Sequence, residues 1–135
     1  MKDLIDDFMS QKRFAIVGAS GDPHKYGYQI FKNLRERGYE VYPVNPRLAE
    51  LEGVKCYPSL HDIPVRVDVV DIVVSPKVTD EVVKEANELG LKRIWLQPGA
   101  ESDAAIEFCQ SNGLKVVHSV CVMLSGPRVL DNENR

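Results

Sequence analysis

A short apolar run that ends on a glycine turn and passes straight into a helix constrains this chain more than any other feature. Arg13 to Gly18 (Arg-Phe-Ala-Ile-Val-Gly) reads as a buried strand. Tyr26 to Arg37 follows with Ile30, Phe31 and Leu34 on one helical face, and Gly38 stops it. The same grammar recurs downstream. Glu40 to Val44 is a strand closed by Pro43 and Pro46. Val67 to Val74 is β-branched and bounded by Ser75-Pro76, as suits a central parallel strand. Val78, Val82, Val83, Ala86 and Leu89 share a helical face, and Gly90 ends that helix. Arg93 to Gln97 is a strand, and Ser102 caps a helix over Asp103 to Asn112 with Ala105, Ile106 and Cys109 inward. Leu114 to His118 is the last strand. The less regular stretch between Leu51 and Pro64 offers a short edge strand at Gly53–Tyr57 and one helical turn at Ser59–Asp62.

Strands alternating with helices require crossover connections, which are right-handed and yield a parallel sheet covered on both faces. The expected fold is therefore α/β, a single Rossmann-like doubly wound domain with a mainly parallel five-stranded sheet. The 135 residues fit one domain, residues 1–135, with an N-terminal helix in 1–11 and a frayed tail at 131–135. Such a sheet gathers its ligand-binding loops at the C-terminal ends of the strands. Those loops are Gly18 to Lys25, Asn45 to Arg47, Ser75 to Lys77, Gln97 to Ser102 and His118 to Cys121.

Composition removes several classes of function. With 17 basic and 20 acidic residues the net charge is −3, a poor basis for nucleic-acid binding. No stretch approaches the ~20 apolar residues that span a bilayer. The N-terminus carries Asp3, Asp6 and Asp7 and no apolar signal core, so a cytoplasmic protein is expected. Cys56, Cys109 and Cys121 lie far apart, and with three histidines they make no zinc-site spacing. No metal is expected.

The Gly18-Ala19-Ser20-Gly21 turn lets backbone amides approach a phosphate, and Lys25 stands at the entry of the next helix. It is not the dinucleotide fingerprint, because Ser20 replaces the second glycine. The exit of the second strand separates the ligands further. NAD-binding domains place an acid there, whereas this chain has Asn45-Pro46-Arg47 and no acid before Glu50. A cation at that position suits a phosphate on the adenosine ribose, at the 2′ position in NADP or the 3′ position in coenzyme A. Ser75-Pro76-Lys77 and Gln97-Pro98-Gly99-Ala100 are turn sequences that could line an adenine or pantetheine slot. Cys121 lies near His118, but no third group orients the histidine, and no catalytic residue is expected. The more modest expectation is a thiol close to a ligand thiol, able to form a mixed disulfide under oxidation.

Seven short motifs occur in order: Val17-Gly18-Ala19-Ser20, Lys25-Tyr26-Gly27, Val41 to Arg47, Tyr57-Pro58-Ser59-Leu60, Val67-Asp68 with Val73 to Pro76, Trp95 to Ala100, and Val117 to Cys121. Together they resemble the stand-alone CoA-binding domain proteins. These are similar to the CoA-binding domain of the succinyl-CoA synthetase α subunit and of ADP-forming acyl-CoA synthetases. The resemblance implies a coenzyme A site. Gly18, Ala19 and Ser20 would hold the pyrophosphate, with Lys25 and Tyr26 nearby. Asn45, Pro46 and Arg47 would meet the 3′-phosphate end. Ser75, Pro76 and Lys77 would border adenine or pantetheine, and Gln97, Pro98 and Gly99 would lie toward the thiol arm. The family usually carries Lys where this chain has Arg47, which keeps the charge. The synthetases place their phosphorylated histidine in a second domain, so His118, in the first, does not inherit that role.

The function expected is binding of CoA or an acyl-CoA without catalytic machinery. An NADP-binding oxidoreductase-like domain and the CoA-binding subunit of a split synthetase are the alternatives. The partners expected are a small-molecule ligand, no nucleic acid and no membrane, with a homo-oligomer or a synthetase subunit left open.

Overall fold

The β-branched and aromatic runs do become strands, joined by helices whose apolar faces close over both sides of one sheet. The computed structural model describes residues 1–125. Helix α1 (Lys2–Met9) precedes β1 (Arg13–Val17), and α2 (Tyr26–Glu36) leads to β2 (Glu40–Val44). A small ribbon of β3 (Glu50–Leu51) and β4 (Val54–Lys55) and a 3-10 turn at Leu60–Asp62 connect to β5 (Val69–Ile72). Then come α3 (Pro76–Glu88), β6 (Arg93–Leu96), α4 (Asp103–Ser111), β7 (Lys115–Val117) and a 3-10 turn at Val122–Leu124. The tail expected at 131–135 lies outside the described residues.

The main sheet is five-stranded, in the order β2-β1-β5-β6-β7. Every neighbouring pair in it is parallel. Alternate residues of each strand face opposite layers. Phe14, Ile16, Val69 and Trp95 pack with Phe8 and Met9 of α1 and Ile30, Phe31 and Leu34 of α2. Ala15, Val17, Val70, Ile72, Ile94 and Leu96 pack with Val82, Val83 and Ala86 of α3 and Ala105 and Cys109 of α4. Helix α1 is tied down by polar contacts as well. Asp7 accepts from Arg93 at 2.9 Å and pairs with Lys115 at 3.5 Å, and the Arg93 hydrogen bond holds its carboxyl below the usual range.

The structure redraws two elements. The strand expected over Val67–Val74 is sheet only from Val69 to Ile72. Before it, Asp68 accepts from the Arg13 amide at 2.9 Å with its side chain, which takes the place of a ladder partner. The edge strand expected at Gly53–Tyr57 is split. Val54–Lys55 turns back on Glu50–Leu51 through a two-residue turn, and Tyr57 alone of this stretch pairs with the main sheet, bridging Val44. At α4, the Ser102 hydroxyl accepts from the Ala105 amide at 2.9 Å, the cap expected there.

Candidate functional site

Chain reversal of helix direction in a doubly wound sheet occurs where neighbouring strands send their helices to opposite faces. Here β1 feeds α2 on one face and its neighbour β5 feeds α3 on the other. The crevice at their C-terminal ends is built on two glycines. Gly18 has φ +103°, and a Cβ there would lie 2.6 Å from the Val73 carbonyl oxygen. A Cβ on Gly27 would lie 2.0 Å from the Gly18 carbonyl oxygen. Glycine at 27 lets the first turn of α2 rest directly on the β1 turn, and glycine at 18 lets that turn lie against the backbone leaving β5.

Side chains then bind the loops to one another. Asn45, at the exit of β2, donates from Nδ2 to the Ala19 carbonyl at 2.7 Å and accepts from the Arg47 amide at 2.8 Å. The Ser20 hydroxyl accepts from the Asp22 amide at 3.0 Å, and the Asp22 carboxylate accepts from the His24 amide at 2.9 Å. The result is a loop set by its own hydrogen bonds, leading to Lys25 at the N-cap of α2 with its side chain exposed.

Above this floor opens a cleft of about 680 Å³, walled by Gly18, Ala19, Ser20, Lys25, Tyr26, Asn45, Arg47 and Ser75, with Gly27, Val73, Val74 and Val78. Its charged wall residues, Lys25 and Arg47, are both cationic, although the protein as a whole is at −3. Joined to it is a slot of about 440 Å³. That slot is apolar along Val17, Val44, Pro46, Pro58, Val74, Val78 and Val82, with Asn45, Arg47, Ser59 and Glu85 as polar points. Glu85 is held by the His61 ring at 2.9 Å.

The remaining expected residues fall elsewhere. Pro76 and Lys77 are exposed in the first turn of α3, next to Ser75 but outside both walls. Pro98 and Gly99 are exposed beyond β6 and line neither cavity. Gln97 is fully buried, so it is an internal link rather than an open wall. Val78 corrects the helical reading in the other direction. The periodicity turns it inward, but it is 47% exposed and lines both cavities. Val82, one turn further on, is buried with Thr79, Val83 and Ala86 and shows only its edge to the slot, so the buried face of the helix ends short of Val78.

Gln97 belongs to a chain of polar groups behind Tyr26. Its amide donates to Asp71 Oδ1 at 2.6 Å, and its oxygen accepts from the Val122 amide at 3.1 Å. The Tyr26 hydroxyl lies 3.5 Å from that oxygen and donates to Cys121 Sγ at 2.6 Å. Burial, and then the bond to Cys121, push the Tyr26 phenol well above its ordinary value. Asp71 is fully buried on β5, and desolvation pushes its carboxyl up to about 7 against the opposing Gln97 bond. The pairing of Cys121 with His118 is not formed, because His118 Nδ1 meets the Ser119 hydroxyl at 2.9 Å instead. Among the described residues no group of His, Cys, Asp or Glu is placed to hold a metal ion, and no helix is long and apolar enough to cross a membrane.

A five-stranded parallel sheet with its loops converging on a cationic crevice at the switch point defines a doubly wound, Rossmann-like domain. Within that class the CoA binding domain family matches residues 12–127, and the chain belongs to it. The chain is 35% identical over 130 residues to the acetate–CoA ligase (ADP-forming) II subunit alpha of Pyrococcus furiosus, covering 88% of this chain and 28% of the ligase subunit. It thus spans less than a third of that relative's length. It is 30% identical over 114 residues to the uncharacterized protein YneT of Bacillus subtilis, covering 84% of each chain. Among solved structures it resembles a conserved hypothetical protein from Pyrococcus furiosus with a TM-score of 0.81 and 47% identity, covering 84% of this chain and 97% of that one. This chain is therefore a homologue of the CoA-binding domains of ADP-forming acyl-CoA synthetase α subunits.

Proposed function

We propose that the cleft binds coenzyme A or an acyl-CoA, and that this chain contributes binding without catalytic machinery of its own. One observation carries the reading: a glycine-floored cleft whose charged wall residues are both cations opens into an apolar slot. That sequence of surfaces suits a ligand with a pyrophosphate, an additional ribose phosphate and an aromatic base. The pyrophosphate would lie over Gly18, Ala19 and Ser20, where the α2 N-terminus and Lys25 favour negative charge. The base would enter between Pro46, Pro58 and the Val78–Val82 stripe, with Ser75 to Lys77 at its border. Arg47, shared by both cavities, would take the 3′-phosphate. The thiol arm would leave past Tyr26, toward the Gln97–Gly99 loop.

Calorimetric titration with CoA, dephospho-CoA and NADPH tests the reading. A charge-assisted contact is worth about 1.5–3 kcal/mol, so CoA should bind roughly ten- to a hundredfold more tightly than dephospho-CoA. Arg47→Ala should collapse that ratio toward unity. Equal affinity in the unaltered protein would remove the Arg47 assignment, and tighter binding of NADPH would replace the CoA reading with a dinucleotide one. The ligase relative is named as one subunit of an enzyme, which makes a completing partner chain the second reading. Stable co-purification with such a chain, and acyl-CoA synthesis by the pair, would establish it.

A further inference from the structure

Of the three cysteines, Cys56 and Cys109 are buried, and burial pushes both thiols up, Cys109 to about 11. Cys121 is half-exposed at the same sheet edge as the cleft. Its Sγ receives the hydroxyl of Tyr26, and Tyr26 is itself a wall of the cleft. Behind Tyr26 stand Gln97 and Asp71, both without solvent contact. Asp71 Oδ2 makes no hydrogen bond among the described residues, so the polar chain that begins at Cys121 ends on an unmet buried acceptor. Folded proteins rarely leave such an atom unmet. A core cysteine needs no hydroxyl donor and no buried amide–carboxyl pair behind it. Tyr26 links the two places: its hydroxyl meets the Cys121 sulfur on one side, and its ring walls the cleft on the other.

We propose that Cys121 is a thiol-exchange site for the ligand of the cleft, with Tyr26 as its positioning residue, an inference that rests on the CoA reading above. The reaction is thiol–disulfide exchange with a low-molecular-weight disulfide that contains the ligand's thiol. The Cys121 thiolate attacks one sulfur of that disulfide, a protein–ligand S–S bond forms, the original S–S bond breaks, and the other half departs as a thiolate. The Cys121 proton passes to solvent. Tyr26 keeps its own proton throughout and orients the sulfur. The small disulfide is the oxidant, consumed one per adduct: its departing half is reduced to a thiol as Cys121 is oxidised into the mixed disulfide.

The test uses the full chain, the symmetrical disulfide of CoA, glutathione disulfide as comparison, and peptide mapping by mass spectrometry. Exchange with CoA disulfide should saturate with concentration, place one adduct on Cys121, and exceed the glutathione rate at least tenfold at equal concentration. Tyr26→Phe removes a hydrogen bond worth about 1 kcal/mol, so the limiting rate at saturation should fall about fivefold. Loss of a merely structural contact would instead raise the half-saturating concentration and leave the limiting rate. Reduced CoA is titrated in parallel. If reduced CoA binds but the adduct is absent, or spreads equally over Cys56 and Cys109, the exchange site is wrong and the binding reading stands. If glutathione disulfide modifies Cys121 as fast as CoA disulfide, Cys121 is only an accessible thiol and the proposal falls. If reduced CoA does not bind, the reading of the cleft fails and the inference fails with it.

Discussion

Asp71 lies in the innermost strand, fully buried, with one carboxyl oxygen held by Gln97 and the other without a partner among the described residues. An ionised carboxylate in such a place is costly, and the group responds by holding its proton up to about pH 7. The folded pKa is thus raised above the unfolded value near 3.8. Between those two values the native state binds a proton that the unfolded state has lost. The stability this proton confers is complete below about pH 4 and is lost as pH rises through about 7, by on the order of a few kcal/mol. Asp71→Asn carries no titrating group and keeps an oxygen for the Gln97 amide. Urea unfolding should therefore find the variant gaining on the parent steadily between about pH 4 and pH 7, and holding that advantage at pH 8. A variant that is less stable at pH 8 would show that the ionised carboxylate is satisfied. The sequence could not announce this residue. Asp68 and Asp71 stand three apart in one β-branched run, and a strand covered on both faces carries no in–out alternation to tell the buried acid from the one that bonds the Arg13 amide.

At the scale of elements, the site depends on how closely α2 approaches β1. Gly27 sits in the first turn of α2 with the Gly18 carbonyl directly beneath it. A methyl group there meets backbone, not a side chain that can move aside. Gly27→Ala should cost roughly 2–4 kcal/mol by overpacking and should weaken ligand binding by lifting the helix N-terminus from the cleft. Gly21→Ala is the control, since a Cβ there meets nothing within 4 Å, and its melting temperature should stay near that of the parent. Equal destabilisation by the two changes would mean that the close approach is not what Gly27 provides. The elements themselves were largely legible. Helix α2 begins at Tyr26 and β2 covers Glu40–Val44, as the apolar pattern predicts. The loops at the strand ends do share one edge, because parallel topology leaves them no other, but the loops after β6 and β7 line neither cavity. What the pattern could not resolve is where the buried face of α3 ends. Val78 and Val82 satisfy the same spacing as Thr79 and Val83, yet Val82 is buried with those two while Val78 is exposed, and a threonine on the buried face obscures the choice. The Glu50–Lys55 hairpin was hidden for a related reason: its strands are two residues each, too short to show a period.

Over the whole molecule, a net charge of −3 surrounds one crevice whose charged wall residues, Lys25 and Arg47, are both positive. The proposed ligand would join three loops that separate parts of the chain supply: the β1 turn, the β2 exit and the start of α3. A ligand that contacts all three only when they are assembled binds the folded state alone, so its binding free energy adds to folding stability. At a concentration one hundred times its dissociation constant the gain is about 2.7 kcal/mol. For a domain of this size that should raise the melting temperature by on the order of 10 °C, in a scan of the full chain with and without CoA. Because the recognition is largely electrostatic at an open cleft, the rise should shrink as salt is added at fixed CoA. Dephospho-CoA at the same concentration should give a smaller rise, with a weaker dependence on salt because one phosphate contact is missing. A rise that is insensitive to salt would move the binding energy away from Lys25 and Arg47 and into the apolar slot between Pro46, Pro58, Val78 and Val82.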